Sequence, residues 1–454
     1  MNELFDKPDY LIVGAGLTGS ILAQKISTEL NAKVLILEKK DHIAGNCYDY
    51  IDKDTGILVN KYGERIFHTN NKDIWTYINK FGSFKHIQHK VKTKFNDDYI
   101  TLPINVNSIN KICDSNIDDI DSLNNWLEEN TNNGDSVKNS EDYAISIFGK
   151  KIYNDFIKPY ITKKYKIHPS LLHKKVLDEI KLRHNNKELF FDDKFVGVPV
   201  LGYTNLIRKI TSHKNIKIFL NVDFTDFKNK YNLDGIKIIY TGPIDSYFIN
   251  SSYDKLDYIH LEHTIKRTLY NNKKYIQEHP VIHYINDDIP YFKCVEYKYF
   301  LNQRSPHSIL ISESISDNSD NPLLPIPTTK NLILYEKYKK LAELEENVYF
   351  IGMLTNYEYI SMAETIEKTF KLFNDKIKPC YENKEIVSKK LETKSKNILV
   401  IARFKENLDW IKQILDNKYI DKIFIYNKGP FIDNLKHPKI KIQDCLNIGR
   451  EGGT

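Results

Sequence analysis

The run from Tyr10 to Gly19, YLIVGAGLTG in one-letter code, limits this chain more than any other stretch, because few folds can use it. Four apolar, strand-favouring residues lead directly into Gly14, Gly16 and Gly19 at G-x-G-x-x-G spacing. Apolar residues at helical spacing then predict a helix over Leu17 to Leu30. Glycines permit a tight turn and close backbone approach, and the N-terminus of the following helix can face a pyrophosphate. The surroundings agree. Lys33 to Leu37 reads as a second strand, and Glu38 ends it where a carboxylate can bind a ribose hydroxyl. The expected fold class is therefore α/β, with a Rossmann-like dinucleotide unit at the start of the chain.

With 454 residues, two to four domains with ample cores are expected. A balance of 66 Lys and Arg against 60 Asp and Glu, without a basic tract, argues against a nucleic-acid binder. Five widely spaced cysteines without a C-x-x-C pair fit a reducing compartment and propose no metal site. The first residues lack an apolar leader, and no run of 18 apolar residues occurs. A soluble, cytoplasmic protein without a transmembrane segment is the expectation.

Along the chain, Lys39 to Asn46 continues the nucleotide pocket, with Lys39, Gly45 and Asn46 as contacts. Lys61 to Asn70 is dense in polar and aromatic residues that packing alone would not require. Residues 84 to 103 alternate as strands, and 105 to 166 turn helical. Strands are expected at Lys217 to Leu220, Lys237 to Tyr240 and Asn347 to Ile351, with strand alternation again over 255 to 320. Glu296 and Glu313 read as plain charges at strand edges. The Rossmann-like unit is then discontinuous, from 1–80, 197–250 and 347–376. A helical domain occupies 104–182, and a twisted antiparallel sheet takes 81–103, 183–196 and 251–346. A linker at 377–396 precedes a partial α/β unit at 397–454, too small to be a stable domain alone.

In this order, residues 1 to about 375 resemble the UDP-galactopyranose mutase family. The resemblance rests on the glycine turn, Lys61 to Asn70, Leu102-Pro103, Ala144 to Ser146, Gly197 to Thr204, Ile239 to Asp245, and Tyr357 to Met362. It implies a flavin-binding Rossmann-like domain, an inserted helical domain and a twisted sheet around one cleft. It also implies FAD, active when reduced by NAD(P)H or another reductant, whose N5 attacks the anomeric carbon as pyranose and furanose forms interconvert. UDP-galactose or a related nucleotide sugar is the implied substrate; a homodimer is possible, and the sequence does not give the oligomeric state. Further FAD contacts carried over are Thr241, Gly242, Gly352, Met353 and Met362, besides Leu17 and Thr18 in the first turn. His68, Arg65 and Lys293 are the implied catalytic residues. Tyr160, Tyr165, Arg183, Phe190, Lys293 and Tyr359 are the implied substrate contacts.

Several positions depart from the family pattern. Arg65 stands at the first histidine of Gly-x-His-x-x-His, Tyr165 at a tryptophan and Phe190 at a tyrosine. Two diphosphate arginines become Lys293 and Met353, and a third becomes Glu179, with Arg183 nearby to replace it. Each lost charge-assisted bond costs about 1.5–3 kcal/mol unless Arg65, Lys163, Lys164, Arg183 or Lys194 compensates. Cofactor positions thus hold while substrate positions drift. Two other readings stay open: a flavin-binding scaffold without catalysis, and a flavin oxidoreductase. The tail, through Val400 to Phe404, Ile425 to Gly429 and Asn447 to Glu451, resembles the opening of a glycosyltransferase family. A mutase-like module would there prepare a sugar for a fused or associated transferase in polysaccharide biosynthesis.

Overall fold

The computed structural model describes residues 7–131, 137–270, 274–316 and 322–382, together with the backbone of three strands further on. β1 (Tyr10–Val13) and β2 (Val34–Leu37) are uninterrupted apolar runs, joined by α1 (Leu17–Glu29). They lie inside a five-stranded, all-parallel sheet ordered Ile216–Phe219, β2, β1, Lys237–Tyr240, Val348–Phe350. Continuous apolar strands suit such a sheet, because helices cover both its faces. The chain leaves this sheet after β2 and returns at Ile216, and leaves again between Tyr240 and Val348. These two excursions supply the rest of the structure.

The first excursion holds the helices between Val106 and Tyr165. Residues 91–102 and 258–325 combine into a seven-stranded sheet. Its order is Leu324–Pro325, Tyr258–Thr268, Ser308–Ser316, Lys293–Glu296, Val281–Tyr284, Val91–Phe95, Asp98–Leu102. The expected antiparallel sheet holds one parallel pair, Val281–Tyr284 beside Val91–Phe95. Strands that far apart in sequence have no hairpin to force them antiparallel. Phe195–Pro199 is a strand between Phe67–Thr69 and Phe84–His86. The expected linker begins too early, because residues 377–382 continue a helix, with Ile377 in the core and Tyr381 packed against it. The three tail strands, Asn397–Val400, Lys422–Ile425 and Ile440–Ile442, pair in parallel. The rest of the partial α/β unit expected at 397–454 lies outside the described residues.

One buried carboxylate ties the first loop to the helix Gly202–Ile210. Asp49 accepts from the backbone N–H groups of Tyr203 and Thr204, the latter at 2.9 Å. Gly202 is required beside it, at φ +81°, because a Cβ there would lie 2.7 Å from Asp49 Oδ2. Asp49→Ala should strand both donors and cost about 1–3 kcal/mol. A lower denaturant midpoint at unchanged slope would register that loss, and an unmoved midpoint would refute it.

Candidate active site

A single cleft of about 1890 Å³ runs from the glycine turn to the face of the seven-stranded sheet. Clefts for one drug-sized ligand measure ~300–1,000 Å³, so this one has room for a dinucleotide and a second ligand. Gly14 lies at φ +105°, and a Cβ on it would stand 2.3 Å from Thr241 Oγ1. That hydroxyl donates to the Val13 carbonyl at 2.7 Å, pinning the turn to the next strand. Gly19 does not line the cleft. A Cβ there would meet the Gly14 carbonyl at 2.1 Å, so its task is to let α1 sit on the turn. Gly16 and Gly45 face each other so closely that a Cβ on Gly45 would reach Gly16 Cα at 3.0 Å.

Glu38 is buried, with Oε2 accepting from Ala15 N at 2.8 Å and Oε1 from Lys40 N at 2.9 Å. This aims its carboxylate across the mouth of the turn. Leu17, Thr18, Lys39, Asn46, Thr241 and Gly242 line the same end, and Gly352, Met353 and Met362 close it. The donor set fits a dinucleotide cofactor: open backbone N–H groups at a helix N-terminus and a carboxylate at the end of β2.

At the other end, the sequence candidates meet unequal fates. His68 stacks on Phe191 at 3.8 Å between ring centres, and its Nδ1 lies 2.9 Å from Asp193 Oδ2. Arg65 donates through Nε to the Asn46 carbonyl and through Nη1 to the Glu64 carbonyl, and pairs with no carboxylate among the described residues. Arg183 is buried and bound to the Leu189 carbonyl and Asp192, leaving little of its fork for a ligand. Lys164 is paired with Glu179 at 2.5 Å, and Lys163 with the carbonyls of Asn286 and Ile289. Phe190 and Tyr359 line the cleft, Tyr359 being exposed. Tyr160 and Tyr165 do not line it. Tyr160 is buried behind the wall, its hydroxyl bonded to His283 Nδ1 at 2.8 Å and Glu179 at 3.2 Å.

Lys293 is clamped. Its Nζ lies 2.7 Å from Glu64 Oε2 and 2.8 Å from Glu313 Oε2. Glu313 is therefore no strand-edge charge. It is fully buried on an inner strand, directly across from Lys293. Glu296, also fully buried, accepts from Ile276 N, Gln277 N and Ser308 and braces a loop. Burial raises the Glu64 carboxyl, but the Lys293 charge and hydrogen bond outweigh this and hold it well below the usual carboxylate range. For Glu313 burial prevails and the carboxyl is raised. Burial lowers Lys293, yet its two carboxylates leave it raised overall.

Two neighbouring histidines are pushed down to about 4, His89 by burial and His263 by burial and then the Lys293 charge. A base depressed from its ordinary value of 6.5 stays neutral in the fold while the unfolded chain takes up protons. Their contribution to stability is thus present above about pH 6.5, falls as pH drops, and levels off near about 4. Unfolding free energy should decline over that window by up to ~1.4 kcal/mol per pH unit per histidine. In a His89→Leu, His263→Leu double variant the slope should flatten, and an unchanged slope would refute the assignment.

Comparison with known proteins settles the kinship. The family model for UDP-galactopyranose mutase matches residues 155–359, and that for an NAD(P)-binding Rossmann-like domain matches residues 12–81. A UDP-galactopyranose mutase of Mycoplasma genitalium is 33% identical over 389 residues, covering 80% of this chain and 93% of that protein. The chain belongs to the UDP-galactopyranose mutase family. It is a mutase-like isomerase by that membership. A dTDP-fucopyranose mutase of Escherichia coli is 29% identical over 371 residues, covering 80% of this chain and 96% of that protein. The crystal structure of reduced UDP-galactopyranose mutase shares the fold, with TM-score 0.65 at 14% identity over 82% of this chain and 94% of that one. No helix among the described residues is long and apolar enough to cross a membrane.

Glu64, Asp193, His89, His263 and His283 belong to no motif legible in the sequence. Only the polar density of Lys61 to Asn70 hinted at Glu64.

Proposed function

We propose that this chain is an FAD-dependent nucleotide-sugar mutase that interconverts pyranose and furanose forms of UDP-galactose or a related sugar. One observation carries the reading: the glycine turn and the polar sheet face open into the same cleft. A reduced flavin held there would supply nucleophilic, redox-neutral chemistry beside the sugar. Gly14, Gly16, Glu38, Gly45 and Thr241 would hold the cofactor. Arg65, which lines the cleft without a carboxylate partner among the described residues, would offset charge on the leaving diphosphate. Asp193, by accepting from Nδ1, would leave His68 Nε2 to accept or deliver a proton at the sugar. Phe190 and Tyr359 offer surfaces for the nucleotide. The three parallel tail strands fit the α/β unit expected at 397–454, which by its resemblance would begin a sugar-consuming transferase.

The test is to reduce the flavin-loaded protein and follow ring interconversion across UDP-galactose, dTDP-fucose and related nucleotide sugars. Turnover of at least one, without sustained oxygen consumption, is expected. Bound and reducible flavin with no turnover of any sugar would overturn the reading. The scaffold reading draws on the pairing of Lys164, Arg183 and Lys293 with carboxylates, and predicts that neither UDP nor dTDP binds. Steady oxygen consumption would instead indicate an oxidoreductase.

A further inference from the structure

The strand Tyr258–Thr268 forms an edge of the seven-stranded sheet over most of its length. On one side it pairs with Ser308–Ser316 from His260 to Thr268, and on the other only Tyr258 and Ile259 have a partner, in Leu324–Pro325. Residues 260–268 therefore keep one side unpaired among the described residues. Strand geometry says which backbone groups that side carries. The Ile259 carbonyl accepts from Leu323 N at 2.9 Å there, and successive residues of a strand turn their N–H and C=O groups to alternate sides. Leu261, His263, Ile265 and Arg267 thus present theirs outward. A free strand edge is a template for another strand unless a proline, a bulge or a guarding charge blunts it. This segment has no proline, and its register against Ser308–Ser316 runs unbroken, so it holds no bulge.

Its charges are of both signs, and they choose the partner. Glu262 and Lys266 are exposed and form no ion pair among the described residues, whereas Arg267 is spent on Asp52 and Asp54. A second copy laid antiparallel on this edge must set outward residues opposite outward residues. A two-fold axis at Thr264 does so, with His263 opposite the partner's Ile265 and Leu261 opposite the partner's Arg267. The same axis sets Glu262 opposite the partner's Lys266, and Lys266 opposite the partner's Glu262. Both fall at the closer, non-hydrogen-bonded positions, where opposite charges attract best. Axes at His263 or Ile265 also suit the backbone, but neither brings an acid opposite a lysine. Thr264 is moreover the midpoint of the free segment 260–268, so the pairing that charge selects also uses its whole length.

We propose that residues 260–268 are a self-association surface, on which a second copy of this chain adds its own strand antiparallel about Thr264. The test is sedimentation of the flavin-loaded full chain over a range of concentrations. Wild type should show a reversible monomer–dimer equilibrium that weakens with added salt. Glu262→Lys and Lys266→Glu each set like charges opposite one another at two places and should weaken the dimer about tenfold or more. Mixing the two variants should restore association, because their heterodimer regains both opposite-charge pairs. Damage to the fold would not be repaired by mixing, and melting with flavin absorbance checks each variant separately. Oxidised Thr264→Cys should give a covalent dimer whose bond peptide mapping places at residue 264, since directly opposite residues at such a position lie within disulfide reach. Monomer at every concentration would overturn the inference and leave the edge to a different protein. A dimer indifferent to both charge reversals, or one that mixing fails to restore, would also overturn it, and would place any association on another surface. The mutase reading stands or falls independently of all these outcomes.

Discussion

Replacing Lys293 by methionine should destabilise the fold by about 3–5 kcal/mol, the usual cost of leaving buried charges without their partner. Glu64 and Glu313 would face each other across an apolar side chain of similar length. Both carboxyls would then be raised by burial and by mutual repulsion. A carboxyl whose folded pKa lies above its unfolded value contributes stability below the unfolded value, about 4.3, and loses it as pH rises through the folded one. The variant should therefore be most stable in acid and weaken steadily toward about pH 8, whereas in the wild type Lys293 holds Glu64 ionised. Denaturation curves taken across that range test it. A variant as stable as wild type at neutral pH would mean that the clamp is not the strong ion pair its geometry describes.

Gly14→Ala is expected to yield folded protein that has lost its flavin, with occupancy down about tenfold or more. A φ of +105° lies outside the regions open to a residue with a Cβ, a strain of about 1–3 kcal/mol. The new methyl group would also press on Thr241 Oγ1, which ties β1 to its neighbouring strand. Relief requires the turn to move off the position that would face a cofactor's pyrophosphate. The ratio of visible flavin absorbance to protein absorbance, followed by titration with FAD, measures the loss. Wild-type occupancy in the variant would sink the assignment of this turn as the cofactor cradle.

Different residues owe their place to different ranges of information. β1, the glycines, α1, β2 and Glu38 were legible because their signals are local. Apolar runs, helical spacing and glycine intervals all act within about thirty residues of one another. The ordered pieces further along were enough for the family and for the idea of one cleft. What substrate groups meet there was not legible, because it depends on which side chains stand opposite one another across strands. His263, Glu313, Lys293, His283 and Thr93 come from strands distributed over residues 91–316, and neither alternation nor composition sets their register.

Glu313 shows the consequence most directly. In sequence it is one acid within an alternating strand, indistinguishable from a solvated charge. Only the sheet places it on an inner strand between His263 and Lys293, and only the loop at Gly63 brings Glu64 to the other side of that lysine. The sequence by itself thus determined the cofactor fold, since a turn against a helix is a short-range contact. The tertiary structure alone decided that Lys293 is spent on two carboxylates, because pairing buried charges is settled by long-range packing and desolvation.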